Sequence, residues 1–395
     1  DGMAGLWCMA VGYGRDEVAD AVSAQMRELP YYNTFFQTTH QPVTKLAAKL
    51  AELAPQHINH TFFTSGGSES NDTVVRMVRH YWAAQGKADK KVIISRKNAY
   101  HGSTVAGASL GGMTYMHEQG DLPIENIVHI NQPYWYAEGG DLTPEKFGLQ
   151  RARELEEKIL EMGENRIAAF IAEPIQGAGG VIPPPDSYWP EIQRICDQYE
   201  ILLVADEVIT GFGRMGSNTG AEEFGVTPDL LNVAKQLTNG AVPMGAVIAT
   251  SEIYQTFMDN GGPDYAVELP HGYTYSGHPV ACAAALASLD ILQSDQLVSR
   301  VKQMSPIFEE ALHSLKGTKY ISDIRNYGLA GAIQIEAYPG EPARRPFEIA
   351  QKLWDKGFYV RYGGDTLQLG MPFIVESHEI DSVINAIGDS INELD

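Results

Sequence analysis

The stretch ILLVADEVITGFGRMGSNTGAEEFGVTPDLLNVAKQLTNG, residues 201–240, contains two apolar runs, 201–205 and 229–234, each closed by charge. Asp206 and Glu207 end the first, and Lys235 ends the second. Runs that are apolar throughout, rather than alternating, suit strands covered on both faces. The distance between the two closures is about one strand–helix–strand step, so the runs predict neighbouring parallel strands that deliver Asp206 and Lys235 to the same rim of a sheet. Similar runs recur at 91–95, 126–130, 167–172 and 245–250. Between them lie segments of helical period such as 187–199, where Trp189, Ile192, Ile195, Cys196 and Tyr199 share one face. Alternation of this kind predicts an α/β fold with a mostly parallel, doubly wound sheet, whose ligands bind at the carboxyl ends of the strands.

Beyond about residue 290 the texture changes. Two helical stretches lead into strand-like pieces at 320–325, 328–335, 358–361 and 366–369 and a closing helix from about 377, which predicts a smaller α+β domain. The most irregular stretches are 121–146 and 261–279, and long loops inside a compact domain often serve function.

Composition narrows the partners. Of 395 residues, 29 are Lys or Arg and 50 are Asp or Glu, a formal charge of −21 that disfavours nucleic acid and anionic membrane surfaces. No apolar run reaches the length of a membrane span. Cys8, Cys196 and Cys282 are too few for a disulfide framework and form no zinc pattern, so a reduced cytoplasmic setting and no metal are expected. Because the chain opens at Asp1 rather than methionine, a preceding segment is expected.

Three local patterns carry chemistry. In TFFTSGGSESND, 61–72, a strand runs into glycines and then into a helix with Val74, Val75, Met77, Val78, Tyr81 and Trp82 on its apolar side. A helix start reached through glycine can bind a phosphate with its free N–H groups; a tight turn capped by Ser68 is the plain alternative. Only one of Asp206 and Glu207 can face a given ligand, since neighbouring strand residues point to opposite faces. Lys235, at the end of an apolar strand, is a candidate amine nucleophile. A phosphate site, a buried acid and a strand-end lysine together suit pyridoxal 5′-phosphate, whose ring would lie between Tyr100 of the AYHG loop and Val208.

These features resemble the class III aminotransferases, of fold type I. The resemblance rests on Gly67–Ser68, AYHG (99–102), AEPIQGAGG (172–180), DEVITGFGR (206–214), AKQLTNG (234–240) and HGYTYSGHP (271–279), in that order along essentially the whole chain. Within the family the sequence is most similar to ω-amino acid (β-alanine):pyruvate aminotransferases and ω-transaminases, through AKQLTNGAVPMGAVIA, ELPHGYTYSGHPVACAA, DIRNYGLAGAIQI and GFYVRYGGDTLQLG. The resemblance implies an N-terminal segment (1–40) joined to the small domain and the dimer interface, a large cofactor domain (41–290) and a small domain (291–395). Lys235 would bond the cofactor aldehyde and move the substrate proton. Asp206 would pair with the pyridine nitrogen, Val208 and Tyr100 would flank the ring, and His101 would lie beside the cofactor. Gly67 and Ser68 would hold the phosphate, and Thr274 would reach the phosphate of the other subunit of a homodimer, or of a dimer of dimers. Trp7, Tyr32 and Phe35 match substrate-pocket aromatics, Arg361 the arginine that takes a substrate carboxylate, and Glu173 the acid that can neighbour it.

The implied reaction moves an amino group from a β-alanine-like ω-amino acid or a primary amine to a keto acid, pyruvate, in ping-pong fashion. An aminomutase or racemase of the same fold is the rival reading. Gly66, Gln236 and Asn239 depart from the commoner family residues, the last two as in the β-alanine:pyruvate subgroup. Plainer roles are a surface ion pair for Arg361, loop fixing for His101 and His278, and core packing for the Trp7, Cys8, Met9 cluster.

Overall fold

The computed structural model describes residues 1–263 and 265–394. Its larger sheet has seven strands: β1 (Ile58–Thr64), β2 (Val92–Arg96), β3 (Ile127–Ile130), β4 (Ile167–Ala172), β5 (Leu202–Asp206), β6 (Leu230–Val233) and β7 (Gly245–Thr250). They lie in the order β1-β7-β6-β5-β4-β2-β3. From β3 to β6 every neighbour is parallel, whereas β7 runs antiparallel to both β6 and β1. The reversal was not predicted. GAVIAT is as uniformly apolar as the parallel strands because it is covered on both faces, and such burial leaves no mark of direction. Two reversals restore the original sense, so β1 also sends its carboxyl end to the rim shared by β2, β4, β5 and β6.

Both faces are sealed by helices. Ile93, Ala169, Ile171, Leu202 and Val204 pack toward Val74, Val78 and Trp82 of the Gly67–Ala84 helix, while Ile94, Phe170 and Leu203 pack toward Leu155, Ile159, Tyr188 and Ile192. The latter four belong to the Pro144–Met162 and Tyr188–Gln198 helices. Thr143 caps the first of these through the Lys146 N–H, with Pro144 set at a position where no N–H is needed. Burial at this level is worth about 2 kcal/mol per large aliphatic side chain.

A second, wholly antiparallel sheet orders β10 (Arg361–Gly363), β11 (Thr366–Gly370), β9 (Ala330–Ile335) and β8 (Ile321–Tyr327) side by side. The expected strand at 358–361 instead starts at Arg361, because its pairing is set by the tight turn that puts Gly363 opposite Thr366. Helices Leu297–His313, Arg344–Asp355 and Ser377–Asn392 cover it.

The N-terminal segment is stitched to this smaller sheet. Gly2 N–H donates to Tyr359 C=O (2.8 Å), Gly370 N–H to Gly2 C=O (2.8 Å) and Phe373 N–H to Ala10 C=O (2.8 Å). A single apolar cluster runs from Val11, Leu46 and Ile248 through Ala285 to Ile333 and Ile387, so the small sheet and the helices beside residue 290 share one core. Among the described residues no helix is long and apolar enough to cross a membrane, and no group of His, Cys, Asp and Glu is arranged to hold a metal ion.

Candidate active site

Five strands end at one rim, and each delivers part of a site. Gly67 and Ser68 follow β1, Tyr100 and His101 follow β2, Glu173 follows β4, Asp206 ends β5, and Lys235 follows β6. Together with Asn71 and Val208 they line one cavity of about 130 Å³.

Asp206 is buried and held from three directions. Its Oδ2 accepts from His101 Nδ1 (2.7 Å) and from Asn71 Nδ2 (2.9 Å), while its Oδ1 accepts only the Val208 N–H (3.1 Å). Burial alone would push the carboxyl up. The hydrogen bond and charge of His101, then the bonds from Asn71 and Val208, outweigh it and hold the carboxyl below its usual range. An ionised carboxylate accepts only, so His101 carries its proton on Nδ1. Asn71 is fixed in turn: its Nδ2 also donates to His101 C=O (2.8 Å), and its Oδ1 accepts from Asn232 Nδ2 (2.7 Å). Asn232 stands opposite Asp206 in the β5–β6 register.

Glu207 points the other way. It accepts from the Gly220 and Ala221 N–H groups (2.8 and 2.7 Å) and from the Thr210 hydroxyl, which ties the β5 loop to the following turn. Of the adjacent acids, Asp206 alone lines the cavity.

Lys235 lies two residues beyond the end of β6 with φ of +49°, in the left-handed region that side-chain-bearing residues rarely occupy. Strain of this kind, about 1–3 kcal/mol, persists where surrounding bonds enforce it. Here Gln236 Nε2 donates to Ile209 C=O (2.7 Å), and Asn239 takes the Val11 N–H (3.0 Å) while donating to Gly12 C=O (2.8 Å). Burial lowers the proton affinity of the Lys235 amine; Cys8, Asp206 and Glu173 oppose that shift and Arg361 adds to it. Among the described residues no acid pairs with this amine.

At the opposite end of the cavity the Gly67–Ala84 helix begins. Its first intrahelical bond runs from Ser70 N–H to Gly66 C=O (3.0 Å), so the preceding N–H groups remain for an anion. Gly67 keeps the approach open, since a Cβ there would crowd both Val208 methyls at 3.1 Å. Ser68 Oγ accepts the Ser103 N–H (3.1 Å), and Gly102, at φ of +119°, passes so near that a Cβ would lie 2.6 Å from that oxygen.

Apart from Glu173, the remaining residues named from sequence do not line this cavity. Glu173 does line it, but its oxygens accept the Tyr100 and Gly177 N–H groups (3.1 and 2.9 Å) rather than pairing with Arg361, and burial raises its pKa. Arg361 donates to Gln368 Oε1 (3.0 Å). Trp7, 1% exposed, packs against Gly370 and the Arg214 guanidinium in the core, so within one chain it is a packing residue and not a cavity wall. Tyr32 is exposed, and Phe35 lines a different and larger hollow, about 840 Å³, with Phe36, Tyr265 and His271. Thr274 is exposed, its carbonyl accepting from Tyr31 Oη (2.7 Å). Asn71 and Asn232 were missed from sequence. For Asn71 a signal existed, because it shares the helix face of Val74, Val75 and Val78, where a polar side chain needs a reason.

A half-buried amine, a fixed carboxylate and a helix start at the carboxyl ends of a doubly wound sheet define a site of the aminotransferase kind. The family model for class-III aminotransferases matches residues 1–391. Curated relatives include a putrescine–pyruvate aminotransferase of Pseudomonas aeruginosa, 50% identical over 97% of this chain and 84% of its own length. A β-alanine–pyruvate aminotransferase of the same organism is 50% identical, covering 99% and 87%. Among solved structures, an amine transaminase from an uncultivated Pseudomonas species, described in its PLP-bound form, is 36% identical with a TM-score of 0.95, covering 99% of this chain and 90% of that one. The chain belongs to the class III aminotransferases, enzymes that depend on pyridoxal 5′-phosphate.

Proposed function

We propose that this enzyme moves the amino group of an ω-amino acid such as β-alanine, or of a simple amine or diamine, to pyruvate, releasing alanine and a carbonyl product, and that it works as a cytoplasmic homodimer. The observation that carries the reading is Lys235, a half-buried amine lining the cavity with no acid partner among the described residues, beside an Asp206 held ionised. The curated relatives, half identical over nearly the whole chain, are named for putrescine and β-alanine donors and for pyruvate. The three unpaired cysteines support the compartment, and the exposed Thr274 supports a site shared between subunits.

The cavity fits the cofactor. Gly67 and Ser68 at the helix start would hold its phosphate, Val208 and Tyr100 would flank its ring, Asp206 Oδ1 would face its ring nitrogen and Lys235 Nζ its aldehyde. When bound, pyridoxal 5′-phosphate supplies an electron sink for the charge left when the substrate carbon loses a proton. Asp206, kept charged by His101 and Asn71, holds a proton on the ring nitrogen. Lys235, whose desolvation favours the neutral amine, would take the proton from the substrate carbon that bears the nitrogen and deliver it, across that nitrogen, to the carbon of the cofactor's aldehyde group. Glu173 fixes the Tyr100 backbone and so the ring wall. Arg361 offers two forked N–H groups to a substrate carboxylate.

The test is the visible absorption band of the holoenzyme. It should fade with β-alanine or putrescine and return with pyruvate as alanine accumulates. A band that returns without any keto acid would instead indicate a mutase or racemase. Arg361→Ala should weaken β-alanine far more than n-propylamine, and equal loss for both would remove Arg361 from the substrate site.

A further inference from the structure

The charge environment of Arg361 is unusual. Arg361 lies on the edge strand β10 with no ion pair among the described residues, and Asp365, the acid nearest to it in sequence, and Glu173 of the cavity are occupied elsewhere. Asp365 Oδ1 accepts the Ala343 N–H (2.6 Å), and Glu173 accepts two backbone N–H groups. The bond that Arg361 makes is to a neutral group, from Nη1 to Gln368 Oε1 (3.0 Å). These two residues stand directly opposite in the β10–β11 register, so their side chains leave the same face.

Gln368 is itself immobilised. It is 1% exposed, and its Nε2 donates to Ala178 C=O (3.2 Å) in the turn that follows Glu173. That bond settles which end of the amide faces the guanidinium, because a flipped amide would set N–H against N–H and leave the carbonyl of Ala178 without its donor. The arginine is therefore held in place without being neutralised, and Nε and Nη2 stay free for a bidentate partner. The guanidinium stands within electrostatic reach of the Lys235 amine.

We propose that Gln368 is a specificity-determining residue: by tethering Arg361 through a neutral acceptor it orients the guanidinium and keeps its full charge available to a substrate carboxylate, so that acid-bearing substrates are favoured over isosteric amines. The proposal rests on the aminotransferase reading above. A glutamate at 368 has nearly the same shape and can keep the bond to Arg361, but it loses the donor to Ala178 C=O and would neutralise the charge that the substrate carboxylate is meant to meet. A methionine would keep the volume and remove the tether.

The experiment is a single-turnover titration of the holoenzyme, following its visible band with β-alanine and with n-propylamine, which has a methyl in place of the carboxylate. Propionate binding by calorimetry is the readout independent of turnover. In Gln368→Glu the apparent dissociation constant for β-alanine and for propionate should rise about tenfold or more, as loss of a charge-assisted pair predicts, while n-propylamine stays within about twofold. Gln368→Met should give a smaller rise, about threefold, confined to the carboxylates, and it carries the test should the glutamate variant not fold. Equal weakening of both donors, or no change in either variant, overturns the proposal. If the unmodified enzyme reacts with neither donor, the functional reading fails instead, and the propionate titration still reports on Gln368.

Discussion

Two regions of this molecule differ in how complete they are within one chain. At the strand-end corner around Asp206, His101, Asn71, Asn232 and Lys235, nearly every side chain is buried and held by a partner on a different element. On the face built from residues 31–39 and 265–276, Phe36 is 84% exposed, Tyr265 is 91% exposed and Thr274 lies open, although the two segments pack on each other through Phe35 over Gly272 and Tyr31 on the Thr274 carbonyl. The contrast teaches that the residues proposed to handle protons are fixed within a single chain. Aromatics named for substrate binding, Tyr32 and Phe35, belong to a surface whose hollow only a covering partner would close.

The largest effect that would sharpen this contrast is Lys235→Met. Activity should fall by about a thousandfold or more, yet the protein without cofactor should be more stable than its parent near neutral pH. The sign follows from linkage: the folded state holds the Lys235 proton less tightly than the unfolded chain does, so the parent is penalised below the folded pKa. That penalty fades as pH rises toward the ordinary lysine value of 10.5. Thermal melts of both proteins across pH, with the gap narrowing upward, are the check. A gap that widens would break the account.

Next comes Asn71→Ala. It strands the Asn232 amide and removes a donor from Asp206, so about 1–3 kcal/mol of stability should be lost. The acid limb of stability should also move to higher pH, because a carboxyl held down in the folded state contributes stability that is lost as pH falls through its folded pKa, and that pKa would now be higher. Denaturant midpoints between acid and neutral pH read this directly. Gly67→Ala should act by crowding alone. Pushing a methyl against both Val208 branches should destabilise by about 1–3 kcal/mol and weaken cofactor retention, measured by dialysis against absorbance.

The smallest effect on the isolated chain should come from the open face. Phe36→Ser is expected to change folding stability by no more than about 0.5 kcal/mol while shifting sedimentation toward monomer. If instead the chain unfolds and no association is lost, the two regions are not different in kind.

The corner was legible in sequence and the open face much less so. Apolar runs located every parallel strand to within a residue or two, since burial on both faces demands such runs. The direction of β7 left no trace, because its residues face the same burial whichever way it runs. His101 was expected beside the cofactor, with loop fixing as its plainer role; its bond to Asp206 is a contact between residues 105 apart that no local pattern encodes. Trp7, expected near substrate, is drawn into the core by Gly370, where a Cβ would lie 2.4 Å from its ring.

The loop carrying Lys235 is clamped between β6 and β7, bolted to Ile209 by Gln236 and to the N-terminal segment by Asn239. Mechanically it is a fixed pivot bearing a swinging arm. The amine can sweep an arc by rotating its own methylenes while the backbone beneath it stays still, so the proton transfer proposed for it would need no hinge, and stiffening this loop further should leave that transfer unchanged.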